Sequence, residues 1–467
     1  MVQHPRAFIK ILLIREYSKR TMYLASIPTS LSALVIILTC IALRSRTNKA
    51  RDPVIVPALL PWVGNLLGFM LNPLKFLEDC RWVSNLSYGV RTEPWALRRR
   101  YGDTYKFQIC GRQVIVVAHP EGISSLYQDV NKAFTTFEIF SRVMNIFSGT
   151  KNPARLFNVF ERELHRIVAL NLSPSASINH GKDISQMLVS ELNSMTSDHL
   201  PVTLNLYDLI SRPLYMAGCH FLFGSTFPSA ETFEDFRMVD KKISENPVMA
   251  SLPFVVPDGL RARERLGSHL NAYIQPWWDS NGSHGLLGIS DLMLQSLQAM
   301  KESKLSKEEA TALNMFFLFG FHSNVWYTLF WLMVQLIHDG LMEKIRSEIN
   351  LNNPQLGDNS GEGLYPILNS VIEETLRWSG RIITIRRAKK DTELTQDGKF
   401  IPIRRGEYVI ADVRTLHFNP QRYPDAEIFK FDRYITSEGT PPSKPLAWAG
   451  GKHGVSFLEF SFNPSSW

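Results

Sequence analysis

Glu374 and Arg377 lie three residues apart in the segment Pro366–Trp378. The proline at its start and the helical spacing of its apolar residues predict a helix here. Because residues three apart share one face of a helix, the two side chains can form an ion pair. On an exposed helix such a pair stabilises a protein by only about 0–1 kcal/mol. Taken alone, the pattern indicates a charged helix and no particular chemistry.

A second charged segment, His417–Tyr434, follows about 40 residues later and contains Arg433. In this order the two segments resemble the cytochrome P-450 family. The resemblance implies that Glu374, Arg377 and Arg433 form a buried triad behind the haem. Two arginines offer enough donors for a buried carboxylate. Loss of one member would cost about 3–5 kcal/mol, because it strands a buried charge.

The resemblance extends over residues 52–453. It implies a mostly α fold with small β-sheets, built as one large domain over residues 63–453. The segment Tyr101–Pro120 combines β-rich runs with a glycine-containing turn and predicts a β-hairpin, which corresponds to the first sheet of the family. A proline-rich stretch, residues 44–62, is predicted to be the hinge that leads into this domain.

The segment Trp448–His453 resembles the start of the family's haem-binding loop. The resemblance implies a cysteine thiolate, the iron ligand, two residues after His453. This chain has Val455 there, and its last cysteine is Cys219. Valine has no lone pair to give to iron, so no metal ligand is predicted and the thiolate-ligated centre is expected to be absent. The residues implied to bind haem b are Trp448, Gly451, His453, Arg386 and Arg387.

Residues 454–467 are interpreted as an aberrant tail, so the C-terminal part of the domain is expected to be incomplete. The tail begins with Gly454-Val455-Ser456, and Val-Ser also opens an interruption at Trp82–Leu97. Val-Ser is what the common start of an intron encodes when it is read in frame. We therefore interpret both segments as introns that were read through, with a degenerate gene as the alternative.

A long run without Asp, Glu, Lys or Arg extends from Ala312 to Ile337. Its length and hydrophobicity would permit a second membrane span. The polar residues at its centre, His322, Ser323 and Asn324, argue instead for a helix buried in a protein core. We predict a core helix in which His322 packs among its neighbours.

The same run resembles the family's helix I, which crosses the distal face of the haem. Most members carry an acid–threonine pair there. This chain has Ser323-Asn324, similar to the sterol 7α-hydroxylase and prostacyclin synthase branch, which uses an asparagine. An amide can hydrogen-bond to a substrate oxygen but is a poor proton carrier at neutral pH. The resemblance implies Asn324 and Ser323 as catalytic residues in a distal pocket with Phe319 and Gly320. The alternative for Asn324 is an amide bonded to a neighbouring carbonyl.

The composition fits a large folded domain. The chain has 467 residues, of which 45% are hydrophobic, and a net charge of +7. No nucleic-acid motif accompanies the positive charge, so we expect no nucleic-acid partner; the basic excess is spread over the surface or forms a face for an acidic redox partner. Four cysteines without framework spacing argue against a disulfide scaffold.

An N-terminal membrane anchor is predicted at Met22–Leu43, where 22 positions contain no Asp, Glu, Lys or Arg. They form about 33 Å of helix, enough to span a bilayer. A secretory signal is the alternative, but no clear cleavage site follows. Basic residues flank both ends, which blunts the charge rule for orientation. If translation starts at Met22, residues 1–21 are a misassigned tail and the domain faces the cytosol from the endoplasmic reticulum.

The resemblance and the anchor together imply a membrane-anchored, haem-dependent monooxygenase. Its substrate would be a lipophilic small molecule, sterol-like, terpenoid-like or another secondary metabolite, and its partner an NADPH-dependent reductase. Because Val455 replaces the ligand, the printed chain is expected to be inactive. The alternatives are a non-enzymatic remnant or pseudoenzyme of the family, and an isomerase that needs no reductase.

Overall fold

Most of the described chain is helical, and two small β-sheets lie beside the helices. The computed structural model describes residues 52–58, 62–71, 76–77, 80, 101–130, 132–196, 203–245, 257–351, 365–380, 383–435 and 442–446. The predicted anchor, the interruption at 82–97 and the loop at 448–455 lie outside these residues. No helix within the described ranges is long and apolar enough to cross a membrane.

Fourteen α-helices are described along the chain. They are α1 (Leu66–Leu71), α2 (Pro120–Gln128), α3 (Phe137–Ser148), α4 (Pro153–Val159), α5 (His165–Asn171), α6 (Pro174–Thr196), α7 (Leu206–Phe223), α8 (Ser229–Glu245), α9 (Pro257–Asp279), α10 (Asp291–Glu302), α11 (Lys307–His338), α12 (Met342–Leu351), α13 (Pro366–Ser379) and α14 (Val413–His417). A π-helical turn, Phe160–Leu164, joins α4 to α5.

Six strands form the larger sheet, in the order β1-β2-β3-β8-β5-β4, and two form the smaller one. The strands are β1 (Val54–Ile55), β2 (Thr104–Ile109), β3 (Arg112–Val117), β4 (Phe134–Thr135), β5 (Ile383–Ala388), β6 (Thr392–Gln396), β7 (Lys399–Ile403) and β8 (Tyr408–Asp412). β8 runs parallel to β3 and antiparallel to β5, so it joins the N-terminal hairpin to the C-terminal part of the chain.

The predicted hairpin at Tyr101–Pro120 is confirmed. β2 and β3 pair antiparallel, and Ile109 lies opposite Arg112. The two-residue turn between them, Cys110-Gly111, has positive φ at both positions, 47° and 76°. That geometry matches the right-handed twist of paired strands, which explains the tight connection.

The long apolar run is confirmed as a core helix, α11. A capping box begins it: Ser306 Oγ accepts a hydrogen bond from the Glu309 amide, and Glu309 Oε2 accepts one from the Ser306 amide. These two bonds satisfy backbone donors that a helix start otherwise leaves unpaired. α3, α7, α9 and α13 pack against α11. It is therefore the axis around which the helical part of the fold is built.

Close packing between α7 and α11 depends on a glycine. A Cβ atom built on Gly218 of α7 would overlap Nε2 of His322, which is buried in α11. A Cβ built on Gly320 of α11, only two residues from His322, meets no atom within 4 Å. His322, which contacts Gly218, thus lies on a packed side of α11, and Gly320 lies on an open side of it.

We predict opposite effects of alanine at these two glycines. Gly218→Ala should lower the free energy of unfolding by roughly 1–3 kcal/mol, because a packed interface cannot absorb an extra methyl group. Gly320→Ala should raise it by about 0.5–1 kcal/mol, because glycine is a poor helix former and the site has room. Urea unfolding of the two variants measures both values. Equal effects would contradict the packing described for α7 and α11.

Candidate functional site

Glu374 and Arg377 of α13 form a fully buried, two-point ion pair. Nε and Nη2 of Arg377 each lie 2.7 Å from a different oxygen of Glu374. Both side chains have 0% exposure. Arg433 Nε lies 2.8 Å from Glu374 Oε2, and the Lys430 amide donates to Glu374 Oε1. The structure thus brings together all three members of the predicted triad around one carboxylate.

The remaining donors of the triad hold the segment that follows α14. Arg377 Nη1 donates to the carbonyl oxygens of His417 and Ala426, at 2.8 Å each. Arg433 donates to the carbonyl oxygens of Pro424, Asp425 and Ile428. Charged donors thus fix an irregular stretch of backbone that has few ladder hydrogen bonds of its own.

His417 and Tyr423 connect this segment by hydrogen bonds to residues 443–446, which precede the predicted haem loop. His417 Nε2 accepts a hydrogen bond from the Leu446 amide at 3.0 Å, and the Tyr423 hydroxyl donates to the Ser443 carbonyl at 2.9 Å. Burial, with the nearby charges of Arg377 and Arg422, lowers the pKa of His417 to about 3. The ring therefore stays neutral, and Nε2 remains an acceptor at neutral pH.

The middle of α11 has one open face. Gly320 has free space where a side chain would lie, and Asn324, one turn later, is exposed. The Asn324 carboxamide makes no hydrogen bond to any residue that the structure describes. By contrast, the buried Asn314 bonds through Nδ2 to the Ala310 carbonyl. The alternative considered for Asn324 was a side-chain amide bonded to a carbonyl of its own helix. Asn314 makes such a bond, and Asn324 makes none to a described residue.

Phe319, the residue before Gly320, packs against an aromatic side chain of α3. Phe319 of α11 lies against Phe147 of α3, with ring centroids 4.0 Å apart. Phe147, Val239 of α8 and Ala262 of α9 form a small buried cluster beside Phe319. Four helices, α3, α8, α9 and α11, therefore meet at this small apolar cluster beside Phe319.

The structure does not bring Ser323 to this open face. Its side chain is buried, and its hydroxyl donates to Asp240 Oδ1 of α8 at 2.5 Å. Successive residues of a helix point about 100° apart, so neighbours in sequence face different surroundings. The expectation that Ser323 lines the same pocket as Asn324 is therefore corrected, because Ser323 faces α8.

The sequence profile of the family described as Cytochrome P450 matches residues 82–462. The chain belongs to the cytochrome P450 family. A solved structure described as retinoic acid bound cyanobacterial CYP120A1 shares the fold, with a TM-score of 0.65 and 19% identity, and the match covers 90% of this chain and 91% of that one.

Relatives of this P450 include several sterol hydroxylases. The 5-beta-cholestane-3-alpha,7-alpha-diol 12-alpha-hydroxylase of Sus scrofa is 23% identical over 432 residues, which cover 85% of this chain and 78% of that protein. Cytochrome P450 7A1 of Rattus norvegicus is 23% identical over 433 residues, with 84% and 78% covered. Cytochrome P450 7B1 of Mus musculus is 21% identical over 448 residues, with 90% and 81% covered. The resemblance to the sterol 7α-hydroxylase branch is confirmed.

The two arginines implied to bind the haem point to different sides of β5, as successive strand residues do. Arg386 is buried, donates to the Leu126 carbonyl at 2.6 Å and lies over the Tyr127 ring. Arg387 pairs with Glu138 of α3. The other implied haem residues, Trp448, Gly451 and His453, lie outside the described residues, as does Val455. Contact between these arginines and a haem carboxylate stays a prediction.

Haem iron is the cofactor of the P450 family. On the described part of α11, the free space at Gly320 leaves room for a flat group. Of the described cysteines, Cys110 lies in the hairpin turn and Cys80 is buried beside the sheet. Burial raises the pKa of the Cys219 thiol far above its usual value, so it stays neutral.

We predict that the triad decides whether this P450 folds. Glu374→Gln removes the charge between two arginines and leaves Arg377 buried without a counter-charge, at a cost of about 3–5 kcal/mol. A matched control is Glu343→Gln: Glu343 pairs with Arg346 at the same spacing, but the pair is exposed. That change should shift stability by about 0.5 kcal/mol or less. Thermal melts of both variants compare them, and similar losses would contradict the role assigned to the triad.

Proposed function

We propose that this P450 derives from a membrane-anchored monooxygenase for a lipophilic, sterol-sized molecule. We further propose that the 467-residue chain itself lacks the oxygen-activating step. The observation that supports the first part is the open face of α11, where Gly320 leaves space and Asn324 is an exposed polar group. Relatives named as sterol hydroxylases support the substrate class.

The chemistry of the open face suits such a substrate. A sterol offers a rigid apolar body and one or a few hydroxyl groups, so a mostly apolar wall with one amide can both bury and orient it. Asn324 can donate to or accept from a substrate oxygen, and the partly buried Phe319 beside Gly320 can supply apolar contact. Asn324 is therefore the residue proposed to orient the substrate.

We infer the loss of the oxygen-activating step from the presence of Val455. Haem held through a cysteine thiolate supplies oxygen activation in this family, and valine cannot serve as that ligand. Arg386, Arg387 and His453 would contribute positive charge and hydrogen bonds to the haem carboxylates. The membrane anchor at 22–43, the reductase partner and the location at the endoplasmic reticulum belong to the same proposal and rest on the sequence alone.

A non-enzymatic remnant of the family is the second candidate, and Val455 is the observation that favours it. Sequencing the mature transcript distinguishes an active enzyme whose introns were read through from a non-enzymatic remnant. A message without the codons for Val83-Ser84, and with a cysteine codon in place of Val455, identifies read-through of introns from an active enzyme's gene. A message that encodes Val455 and ends after Trp467 identifies a remnant.

We predict that Gly320→Phe abolishes binding of cholesterol, because a large ring at that position fills the space beside Asn324. Gly285→Phe is the matched control, since Gly285 also has nothing within 4 Å of its Cβ position but lies in the exposed loop before α10. Binding of fluorescent cholesterol to the detergent-solubilised chain, followed by titration, measures both. Unchanged affinity in Gly320→Phe would contradict a substrate site on this face.

A further inference from the structure

Three side chains with metal-binding atoms meet at the surface where α2 begins. His119 directly precedes α2, Glu121 lies in its first turn, and Asp397 lies in the turn between β6 and β7. One ligand atom from each residue, an imidazole nitrogen or a carboxylate oxygen, lies within 4.8 Å of the other two. Because 276 residues separate Glu121 from Asp397, only the folded chain brings these groups together.

The turn that carries Asp397 is held against α2 by hydrogen bonds. β6 and β7 are joined by a two-residue turn, Asp397-Gly398, with positive φ at both positions, 50° and 65°. The Asp397 amide donates to Glu121 Oε2 at 2.6 Å, and the Thr395 amide donates to the Ser125 hydroxyl at 3.2 Å. The backbone on both sides of the cluster is therefore fixed, and a ligand would have to reorient side chains only.

The spacing of two ligand atoms matches that of a zinc site. His119 Nε2 lies 3.1 Å from Asp397 Oδ1. Ligand atoms of a tetrahedral zinc ion, with bonds of about 2.0–2.1 Å, lie about 3.3 Å apart. The other ring nitrogen of His119, Nδ1, is buried, so Nε2 is the nitrogen available to a metal ion. The exposed Glu121 can supply a third ligand through its second oxygen, which leaves the fourth position to water.

The charges of the cluster favour a divalent cation. Glu121 and Asp397 bring two negative charges close together, and no lysine or arginine that the structure describes forms an ion pair with either carboxylate. Like charges at this separation repel each other, and a bound dication removes the repulsion. The amino end of α2 carries a partial positive charge that opposes a cation, but the two full negative charges of the carboxylates outweigh it.

We propose that His119, Glu121 and Asp397 form a site for a divalent metal ion, with Zn²⁺ preferred, that clamps the β6–β7 turn to α2. An imidazole nitrogen together with carboxylate oxygens is a ligand set of zinc and related transition ions, whereas calcium and magnesium prefer oxygen alone. The inference goes beyond the proposed function and does not depend on it, because none of the three residues belongs to the open face of α11.

The test is a calorimetric titration of Zn²⁺ into the detergent-solubilised 467-residue chain, from which a chelator has first removed metal. One saturable site per chain is expected. His119→Gln, Glu121→Gln and Asp397→Asn should each weaken binding by at least about tenfold, the loss that even a change beside a metal ligand typically causes. The last two variants preserve the local structure, because glutamine still accepts from the Asp397 amide and asparagine tolerates positive φ.

His338→Gln is the matched control. His338 Nδ1 lies 2.7 Å from Asp339 Oδ1, so this pair also offers a histidine and a carboxylate, but no third metal ligand among the described residues joins it. The affinity for zinc should stay unchanged in this variant. Millimolar Ca²⁺ should not displace the bound zinc, because calcium requires more oxygen ligands than the cluster supplies.

Thermal melts give a second readout. Zinc should raise the melting temperature of the unmodified chain, since an ion that binds only the folded state stabilises it. The same zinc concentration should leave the melting temperatures of the three ligand variants unchanged. A simple hydrogen-bonded cluster without a metal role would give no shift in any of the four proteins.

Four results would overturn the proposal: no saturable zinc binding, an equal loss of affinity in His338→Gln, displacement of zinc by calcium, or equal zinc-dependent melting shifts in the unmodified chain and the ligand variants. If His119→Gln fails to fold, the variants of the two exposed carboxylates decide. None of these measurements uses haem or cholesterol, so zinc binding and the proposed function can each fail without the other.

Discussion

A buried carboxylate needs both opposite charge and hydrogen bonds, and Glu374 obtains them from two arginines that lie 3 and 59 residues away in sequence. Because Arg377 and Arg433 also bind backbone carbonyls around residues 417–428, the same interaction shapes the irregular segment after α14. His417 and Tyr423 then fasten residues 443–446. The position of residues 443–446, which precede the predicted haem loop, thus depends on the hydrogen bonds and charges around Glu374.

The fold is that of an oxidising enzyme family, whereas the sequence of the predicted haem loop lacks the expected cysteine. The described chain has the fold of a cytochrome P450, while Val455 is proposed to stand at the position of the family's axial ligand. A protein can keep a stable frame after losing one ligand, since the triad and the core around α11 do not depend on the iron for their contacts. Under the proposed function, the frame of the protein can therefore remain folded and bind a ligand without carrying out the oxidation.

Local patterns in the sequence predicted the elements with strong periodicity or turn chemistry, such as α11, α13 and the β2–β3 hairpin. The partnership of Glu374 with Arg433 came from the family resemblance, because no local rule connects residues so far apart. Asp240 was missed: its helix carries several charged residues, and only the packing of α8 on α11 makes this one buried. Ser323 was placed beside Asn324 because the two are neighbours in sequence, although a helix turns them to different surroundings.

The most direct test of a P450 frame without its thiolate is the carbon-monoxide difference spectrum of the reduced, haem-supplemented chain. Val455→Cys is measured in parallel to show whether the ligand position responds to a cysteine. The chain as printed should give no red-shifted, thiolate-type band. Such a band from the unmodified protein would mean that one of its cysteines reaches the iron, and would contradict the assignment of Val455 as the lost ligand position.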